Sequence, residues 1–306
     1  MLTINMLIII QLASCSKESH PAAGTTSGGT DSARIIDSPI TSLDPGVSAT
    51  LSDLAYGRDD KQKMDLNLIA GRDVSTPCVI LLHGGAWSQG DKNDLASLVR
   101  FFLSQKINVA NVNYRLTNNS AGSVRWTGIL SDVNAAVSFV TKHADSLKTR
   151  SLKFVVFGFS AGAHLALLHT YSYDSSDLIS AVIGFGTPTK LNDIAWKANP
   201  YLGIAKQALP PLTGQSFTMD TSNTTLKDLS PYFSSHFKPT LLIHGDQDNV
   251  VPYSQSVLMH NELRVDGVAS TFISLPHSGH SGEGASPTDL NDAWQTCATW
   301  IKNYSR

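Results

Sequence analysis

Ser160 stands at the centre of Gly158-Phe159-Ser160-Ala161-Gly162, directly after the apolar run Phe154-Val155-Val156-Phe157 and directly before Ala163-His164-Leu165-Ala166-Leu167-Leu168. Strand, sharp turn with a central serine, then helix is the setting in which a hydroxyl is presented as a nucleophile. The flanking glycines relieve crowding in such a turn and let a carbonyl approach closely. A serine that attacks an acyl carbon also needs a base for its proton, a group to orient that base, and donors for the oxygen that turns negative. Each has a candidate, and each candidate follows an apolar run. His83-Gly84-Gly85-Ala86-Trp87 follows Val79-Ile80-Leu81-Leu82, and its paired glycines free backbone N–H groups to turn inward. His244-Gly245-Asp246-Gln247-Asp248-Asn249-Val250-Val251-Pro252 follows Thr240-Leu241-Leu242-Ile243 and carries two aspartates able to orient an imidazole. His277-Ser278-Gly279-His280-Ser281-Gly282 follows Thr271-Phe272-Ile273-Ser274-Leu275 and offers two histidines as base. His83 reads as a hydrogen-bonding brace for its own loop, and His143, His164, His169, His236 and His260 read as structural.

Such loops need a frame that brings strand ends together. Residues 51–56 and 63–68 alternate as the strands of a hairpin, with Gly57-Arg58-Asp59-Asp60 as the turn. Strands and helices then take turns. Strands are expected at 79–82, 107–114, 154–157, 181–185, 240–243 and 271–275. A helix at about 93–105 carries Leu95, Leu98, Val99 and Phe102, and a second carries Ile129, Val133, Ala136, Val137 and Val140 on one face. A last helix starts at Ser286-Pro287, with Leu290, Trp294, Cys297 and Ile301 inward. This alternation predicts an α/β fold with a mostly parallel central sheet and helices on both faces. Ligands of such sheets bind at the carboxyl ends of the strands. Residues 187–236 break the rhythm: Pro188, Pro200, Pro210, Pro211 and Pro231 punctuate a stretch with Trp196, Tyr201, Phe217 and Met219. They are expected to form an insertion of short helices and loops that either covers the surface or lines the pocket. Trp87 and Trp126 are the candidate pocket walls.

A chain of 306 residues with 42% hydrophobic content suits one large domain, here 51–306. A net charge of −2 without any basic run excludes nucleic acid as a partner. Cys78 and Cys297 fall on apolar elements and are expected as buried thiols. No CxxC or HExxH spacing supports a metal site, and serine chemistry calls for no cofactor. The N-terminus differs in kind. Met6-Leu7-Ile8-Ile9-Ile10 is too short to span a bilayer and leads into Leu12-Ala13-Ser14-Cys15. Residues 16–50 are polar, with Thr25-Thr26-Ser27-Gly28-Gly29-Thr30 as an example, and are expected to be a flexible tether. The segment 1–15 closely resembles a bacterial lipoprotein signal peptide. That likeness implies lipid modification of Cys15 and an anchored domain in the cell envelope.

From about Ala55 onward the chain resembles the esterase/lipase group of the α/β-hydrolases, on Tyr56-Gly57, Gln62-Lys63-Met64-Asp65-Leu66, Val112-Asn113-Tyr114-Arg115-Leu116 and Gly184-Phe185-Gly186-Thr187-Pro188-Thr189. It is most similar to secreted bacterial bifunctional feruloyl and acetyl-xylan esterases. The resemblance implies a Ser-Asp-His order, filled by Ser160, Asp248 of the HGxxDxxVP acid loop, and His280 of the Gly-His turn. It further implies an oxyanion hole from Gly84, Gly85 and the N–H of Ala161, although the third glycine of the commonest loop is Ala86 here. Asp246 then falls to a turn role and His277 to a surface or supporting one. The implied activity is hydrolysis of acetyl or feruloyl esters of carbohydrate, or similar short acyl esters, through an acyl-enzyme, rising with pH as His280 loses its proton. Ser160-Ala161-Gly162-Ala163-His164-Leu165 and the HGGxW loop also resemble kynurenine formamidases, so an amidase is the alternative. A non-catalytic surface binding protein on a hydrolase scaffold is the other.

Overall fold

The apolar run Cys78–Leu82 has no polar position to turn toward water, and all five of its residues are buried. In the computed structural model, which describes residues 40–218 and 220–306, this run is strand β3 of one eight-stranded sheet. The others are β1 (Ala49–Ala55), β2 (Lys63–Leu68), β4 (Asn108–Val112), β5 (Phe154–Phe159), β6 (Ile179–Phe185), β7 (Thr240–Gly245) and β8 (Ser270–Leu275). Their spatial order is β1-β2-β4-β3-β5-β6-β7-β8. β1 and β2 form the antiparallel hairpin, β2 pairs antiparallel with β4, and every pairing from β4 to β8 is parallel. Within β3, Val79 and Leu81 join one hydrophobic layer while Cys78, Ile80 and Leu82 join the other. This period-2 division of a uniformly apolar run is what a sheet covered on both faces requires.

The helices are α1 (Ala96–Ser104), α2 (Trp126–Leu147), α3 (Ala161–Ser172), α4 (Tyr201–Thr213), α5 (Thr224–Asp228), α6 (Ser254–Val265) and α7 (Pro287–Tyr304). α1 and α7 cover one face through Leu98, Phe102, Trp294, Cys297 and Ile301. α2, α3, α4 and α6 contribute to the layer on the other. Ser286 caps α7 by accepting the Asp289 N–H at 3.1 Å, with Pro287 at the first helical position. α3 is buried all round, from Ala161 to Tyr171, as a helix central to the core must be. Cys78 and Cys297 are free, buried thiols.

Cys15, the signal-like segment and the tether up to residue 39 lie outside the described residues. The rest of the expected tether is corrected. Residues 40–50 are mostly exposed but are tied to the domain at several points, and β1 already begins at Ala49, opposite Leu68. Ile40 and Leu43 pack against the core, and the Leu43 N–H donates to Ser146 O at 2.9 Å. The cause lies partly at Arg72, a buried cation whose guanidinium donates to the carbonyls of Val47 at 2.6 Å, Asp44 at 3.1 Å and Leu147 at 2.8 Å. Those donors must be satisfied, and the incoming segment supplies two of the acceptors.

Candidate active site

Ser160 connects β5 to α3 with φ 53° and ψ −118°, a backbone conformation that a non-glycine residue adopts only where its surroundings enforce it. Those surroundings are tight. The Ser160 N–H donates to Phe185 O at 2.8 Å, and a Cβ on Gly162 would fall 2.3 Å from the carbonyl oxygens of Leu82 and His83. The second glycine of the pentapeptide is therefore required by the close approach of α3 to the end of β3. The outcome is a hydroxyl lifted to the carboxyl edge of the sheet, where the other loops converge.

His280 lies against it. Its Nε2 is 2.8 Å from Ser160 Oγ and its Nδ1 is 2.7 Å from Asp248 Oδ2. A carboxylate can only accept, so Nδ1 carries the proton and Nε2 is left to accept from the serine hydroxyl. Ser160 and His280 each retain 8% exposure, whereas Asp248 retains 3%: the hydroxyl and imidazole open to substrate and the carboxylate does not. The two loops that bring acid and base together are tied to each other, the Gln247 N–H donating to Ser278 O at 2.9 Å and the Asp246 N–H to Leu275 O at 3.1 Å. The other two candidates stand apart from this hydrogen-bonded line. Asp246 is exposed, and His277 is exposed with Gln247 Nε2 3.5 Å from its Nδ1.

Asp248 has all its acceptor sites filled. Oδ1 takes the N–H groups of Val250 at 2.7 Å and Val251 at 2.9 Å, and Oδ2 takes His280 and, at 3.0 Å, His244 Nε2. Burial pushes the Asp248 carboxyl up, but the bonds from His244 and His280 outweigh it and hold the pKa well below the usual carboxylate range. His244 was missed as a site residue. It is fully buried, with Nδ1 2.7 Å from Ser256 Oγ and Nε2 also 3.2 Å from Val251 O. Because Val251 O and Asp248 Oδ2 are acceptors, Nε2 bears the proton and Nδ1 accepts from Ser256. The available signal was its place four residues ahead of Asp248 at a strand end.

The loop after β3 runs beside the elbow: a Cβ on Gly84 would fall 2.7 Å from Cδ1 of Phe159. It then bends through left-handed conformations at Gly85 (φ 112°), Ala86 (φ 49°) and Trp87 (φ 61°). Gly85 has no alternative, since its Cβ would lie 2.0 Å from Gln89 O. Ala86, the departure from a third glycine, carries a cost of about 1–2 kcal/mol for its left-handed backbone. His83 braces this loop. Its ring stacks on Tyr114 with centroids 4.3 Å apart, its Nδ1 donates to Gly84 O at 2.7 Å, and Tyr114 OH donates to His83 O at 2.7 Å. Burial pushes the His83 pKa down. Ala161 is the first residue of α3, and the N–H groups of a first turn have no acceptor within the helix, which leaves them free for an anionic oxygen.

Beside Ser160 opens a cavity whose walls include Trp87, Ala161, Leu191, Trp196 and the α4 residues Ala205 and Ala208. Residues 187–236 thus contribute directly to the pocket. Trp126 does not: it begins α2 and packs edge-on against Tyr173, 6.5 Å between centroids, which corrects its expected place in the wall. Among the described residues no cluster of three or more His, Cys, Asp or Glu side chains could hold a metal ion. A hydroxyl, an imidazole and a carboxylate in one hydrogen-bonded line, next to the first turn of α3, can move a proton from the hydroxyl while it attacks a carbonyl.

Residues 64–263 match the family model described as BD-FAE. The chain is 27% identical over 202 residues to protein bem46 of Schizosaccharomyces pombe, covering 65% of this chain and 61% of that one. It is 25% identical over 254 residues to esterase LipQ of Mycobacterium tuberculosis, covering 76% and 58%. It therefore spans about three-fifths of the length of these relatives. A truncated carbohydrate esterase from gut microbiota superposes with a TM-score of 0.72 at 21% identity, over 87% of this chain and 99% of that one. Esterase B of Lactobacillus rhamnosis gives 0.69 at 22%, over 86% and 88%. These structural likenesses speak for the fold. The family match covers the sheet from β2 to β7 and every elbow and acid-loop residue described above, and on that ground the chain belongs to the BD-FAE family of α/β-hydrolases.

Proposed function

We propose that the protein is a serine carboxylic ester hydrolase acting on acyl esters of carbohydrate or similar alcohols, with acetyl and feruloyl as the starting candidates for the acyl group. The observation that carries this reading is the line from Ser160 Oγ to His280 Nε2 at 2.8 Å and from His280 Nδ1 to Asp248 Oδ2 at 2.7 Å. Ser160 attacks the ester carbonyl as its proton passes to His280 Nε2, and Asp248 holds the imidazole in the required tautomer. The oxygen that becomes negative is met by the N–H of Ala161 and by the Gly84-Gly85 loop, each donor contributing about 3 kcal/mol to the transition state. His280 then hands the proton to the departing alcohol. Water enters by the same route, and the acid and free Ser160 are regenerated.

Most of the relatives named for an activity support an ester over an amide: esterase LipQ, esterase LipC and an isoprenylcysteine alpha-carbonyl methylesterase of Arabidopsis thaliana stand beside one dipeptidyl aminopeptidase of Pseudoxanthomonas mexicana. The test is labelling of purified protein with a fluorophosphonate probe, with turnover of an aryl acetate, acetylated xylan, a feruloyl ester and N-formylkynurenine measured in parallel. Labelling at Ser160 with ester turnover is expected. Turnover of N-formylkynurenine alone would move the reading to a formamidase, and absence of labelling would move it to a binding protein. The reading also includes a bacterial envelope location through a lipid on Cys15, supported by Leu12-Ala13-Ser14-Cys15 and the polar residues after it. Incorporation of labelled palmitate into the wild type and its loss in Cys15→Ala is the expected result.

A further inference from the structure

Two adjacent side chains at the start of α6, Gln255 and Ser256, are fully buried although both are polar. Successive side chains of a helix diverge by about 100°, so neighbours can serve different segments. Ser256 Oγ is the partner of His244 Nδ1 at 2.7 Å, and His244 Nε2 reaches Asp248 Oδ2 at 3.0 Å. Gln255 turns elsewhere. Its Oε1 accepts the N–H groups of Lys190 at 2.7 Å and Thr189 at 3.1 Å, and its backbone carbonyl accepts the Thr189 hydroxyl at 2.7 Å. Two converging N–H donors require an acceptor, which assigns the amide oxygen to this side.

The segment held in this way carries part of the cavity wall. Thr189 and Lys190 lie between Pro188 and Leu191, which line the cavity beside Ser160. Lys190 O in turn accepts the Trp196 indole N–H at 3.0 Å, and Trp196 lines the same cavity. Ser230 and Tyr232 also bond to this turn, the Leu191 N–H donating to Ser230 Oγ at 2.8 Å and the Tyr232 N–H to Thr189 O at 3.0 Å. Both belong to residues 187–236 and would move with them. Gln255 stands outside that insertion, on a helix packed against β7 and β8. Without its oxygen, two buried N–H groups would lose their acceptor, and the turn would shift to find others.

Resting on Ser160 as the nucleophile, we propose that Gln255 is a positioning residue for substrate binding: through Thr189 and Lys190 it fixes Pro188, Leu191 and Trp196 relative to Ser160. Its neighbour Ser256 acts on proton transfer instead, through His244 and Asp248. One turn of α6 thus supports both the wall and the acid, and the two contributions separate in kinetics. A displaced wall weakens contacts that substrate and transition state share, which raises KM. A displaced acid weakens an interaction that gains its strength as His280 takes up the proton, which lowers kcat.

The experiment is steady-state kinetics of full-chain Gln255→Met, Gln255→Glu and Ser256→Ala on p-nitrophenyl acetate and butyrate, with a thermal melt of each protein. Gln255→Met keeps the length of the side chain and removes the acceptor; KM is expected to rise about tenfold or more, with kcat within about threefold of wild type. Gln255→Glu restores an accepting oxygen and should return KM to within about threefold. Ser256→Ala should lower kcat by about threefold to tenfold and leave KM unchanged. A folded Gln255→Met protein with an unchanged KM overturns the assignment and leaves Ser160 as nucleophile untouched. So do equal rises in KM for the Met and Glu variants, because the accepting oxygen would then not be what holds the wall. If either Gln255 variant fails to fold, Thr189→Val decides, since it removes one bond of the same junction: a KM raised by about threefold supports the assignment, and an unchanged KM overturns it. No ester turnover by the wild type, together with no fluorophosphonate labelling, overturns the reading of Ser160 and this assignment with it.

Discussion

At the carboxyl ends of β5, β7 and β8, Ser160, Asp248 and His280 are held by hydrogen bonds of 2.7 to 2.9 Å whose partners leave little freedom of direction. Facing them, α4 and Trp196 meet the same cavity with Ala205, Ala208, Leu209 and an indole whose one polar atom points elsewhere. The first region is built from directional bonds and close backbone approach. The second is built from volume. Proton transfer fails when its groups shift by an ångström, so their positions must be over-determined. An apolar wall needs only the right shape and size, and its residues can be exchanged for others of similar volume. Substitutions in the first region should abolish turnover, whereas those in the second should redirect it.

The largest effect tests the first half of that contrast. Ser160→Ala is expected to lower kcat by about 10⁶-fold on any ester, with the melting temperature within about 2 °C of wild type. A residual activity within tenfold of wild type would break the comparison, because the nucleophile would then lie elsewhere. Asp248→Asn comes next, at about 10⁴-fold in kcat, since it keeps the shape and loses the tautomer control over His280. The same variant has a signature in stability. The carboxyl is held below its usual range, so the stability its charge contributes is fully present above about pH 4 and lost as pH falls through the folded value. The gap in melting temperature between wild type and Asp248→Asn should be constant from about pH 5 to 8 and narrow below about pH 4.

The contrast also explains what could be read from the residues alone. Directional chemistry leaves motifs. Gly162 is constrained by a backbone contact of 2.3 Å, Gly85 by its positive φ, and the runs before them by burial on both faces, so the sharp turn at Ser160, the glycine loop after β3 and the parallel sheet were visible in residue types and spacing. Apolar volume leaves none. Nothing distinguished Trp87, which lines the cavity, from Trp126, which packs on Tyr173. α6 was not anticipated either, because its buried side are Gln255, Ser256, Met259 and Leu263, two of them polar. His244 fell between the two cases. It belonged to the quoted acid loop, yet a histidine at a strand end has many uses, and only the fold shows it donating to Asp248 Oδ2 at 3.0 Å. His244→Leu should lower kcat by about tenfold to a hundredfold with KM nearly unchanged, the scale of one hydrogen bond to a charged group. His244→Gln keeps a donor and should recover most of that loss. Equal losses in both variants would mean that packing, not the bond to Asp248, is what His244 provides.

His164 joins the two regions and carries the smallest effect. It lies one turn beyond Ser160 on α3, accepts the Trp87 N–H at Nδ1 and donates from Nε2 to Leu229 O at 2.7 Å. Burial pushes its pKa down to about 4. An unfolded imidazole titrates near 6.5, so between about pH 6.5 and 4 the unfolded chain binds a proton that the folded chain refuses. Stability from this group is fully present above about pH 6.5 and falls by about 1.4 kcal/mol per unit as pH drops toward 4. His169, further along α3 and also pushed down to about 4 by burial, adds a parallel loss, so the wild-type slope alone cannot isolate either. The difference between wild type and His164→Gln can. The variant should be the less stable at pH 7, having altered both bonds, and the gap in urea midpoint should close as pH approaches about 4.5. A gap that stays constant would mean that His164 is not neutral in the fold. If it closes, the Trp87 wall depends on an unprotonated ring, because a proton on Nδ1 would set donor against donor. Acid would then loosen the Trp87 wall through His164 while Asp248 still holds its charge.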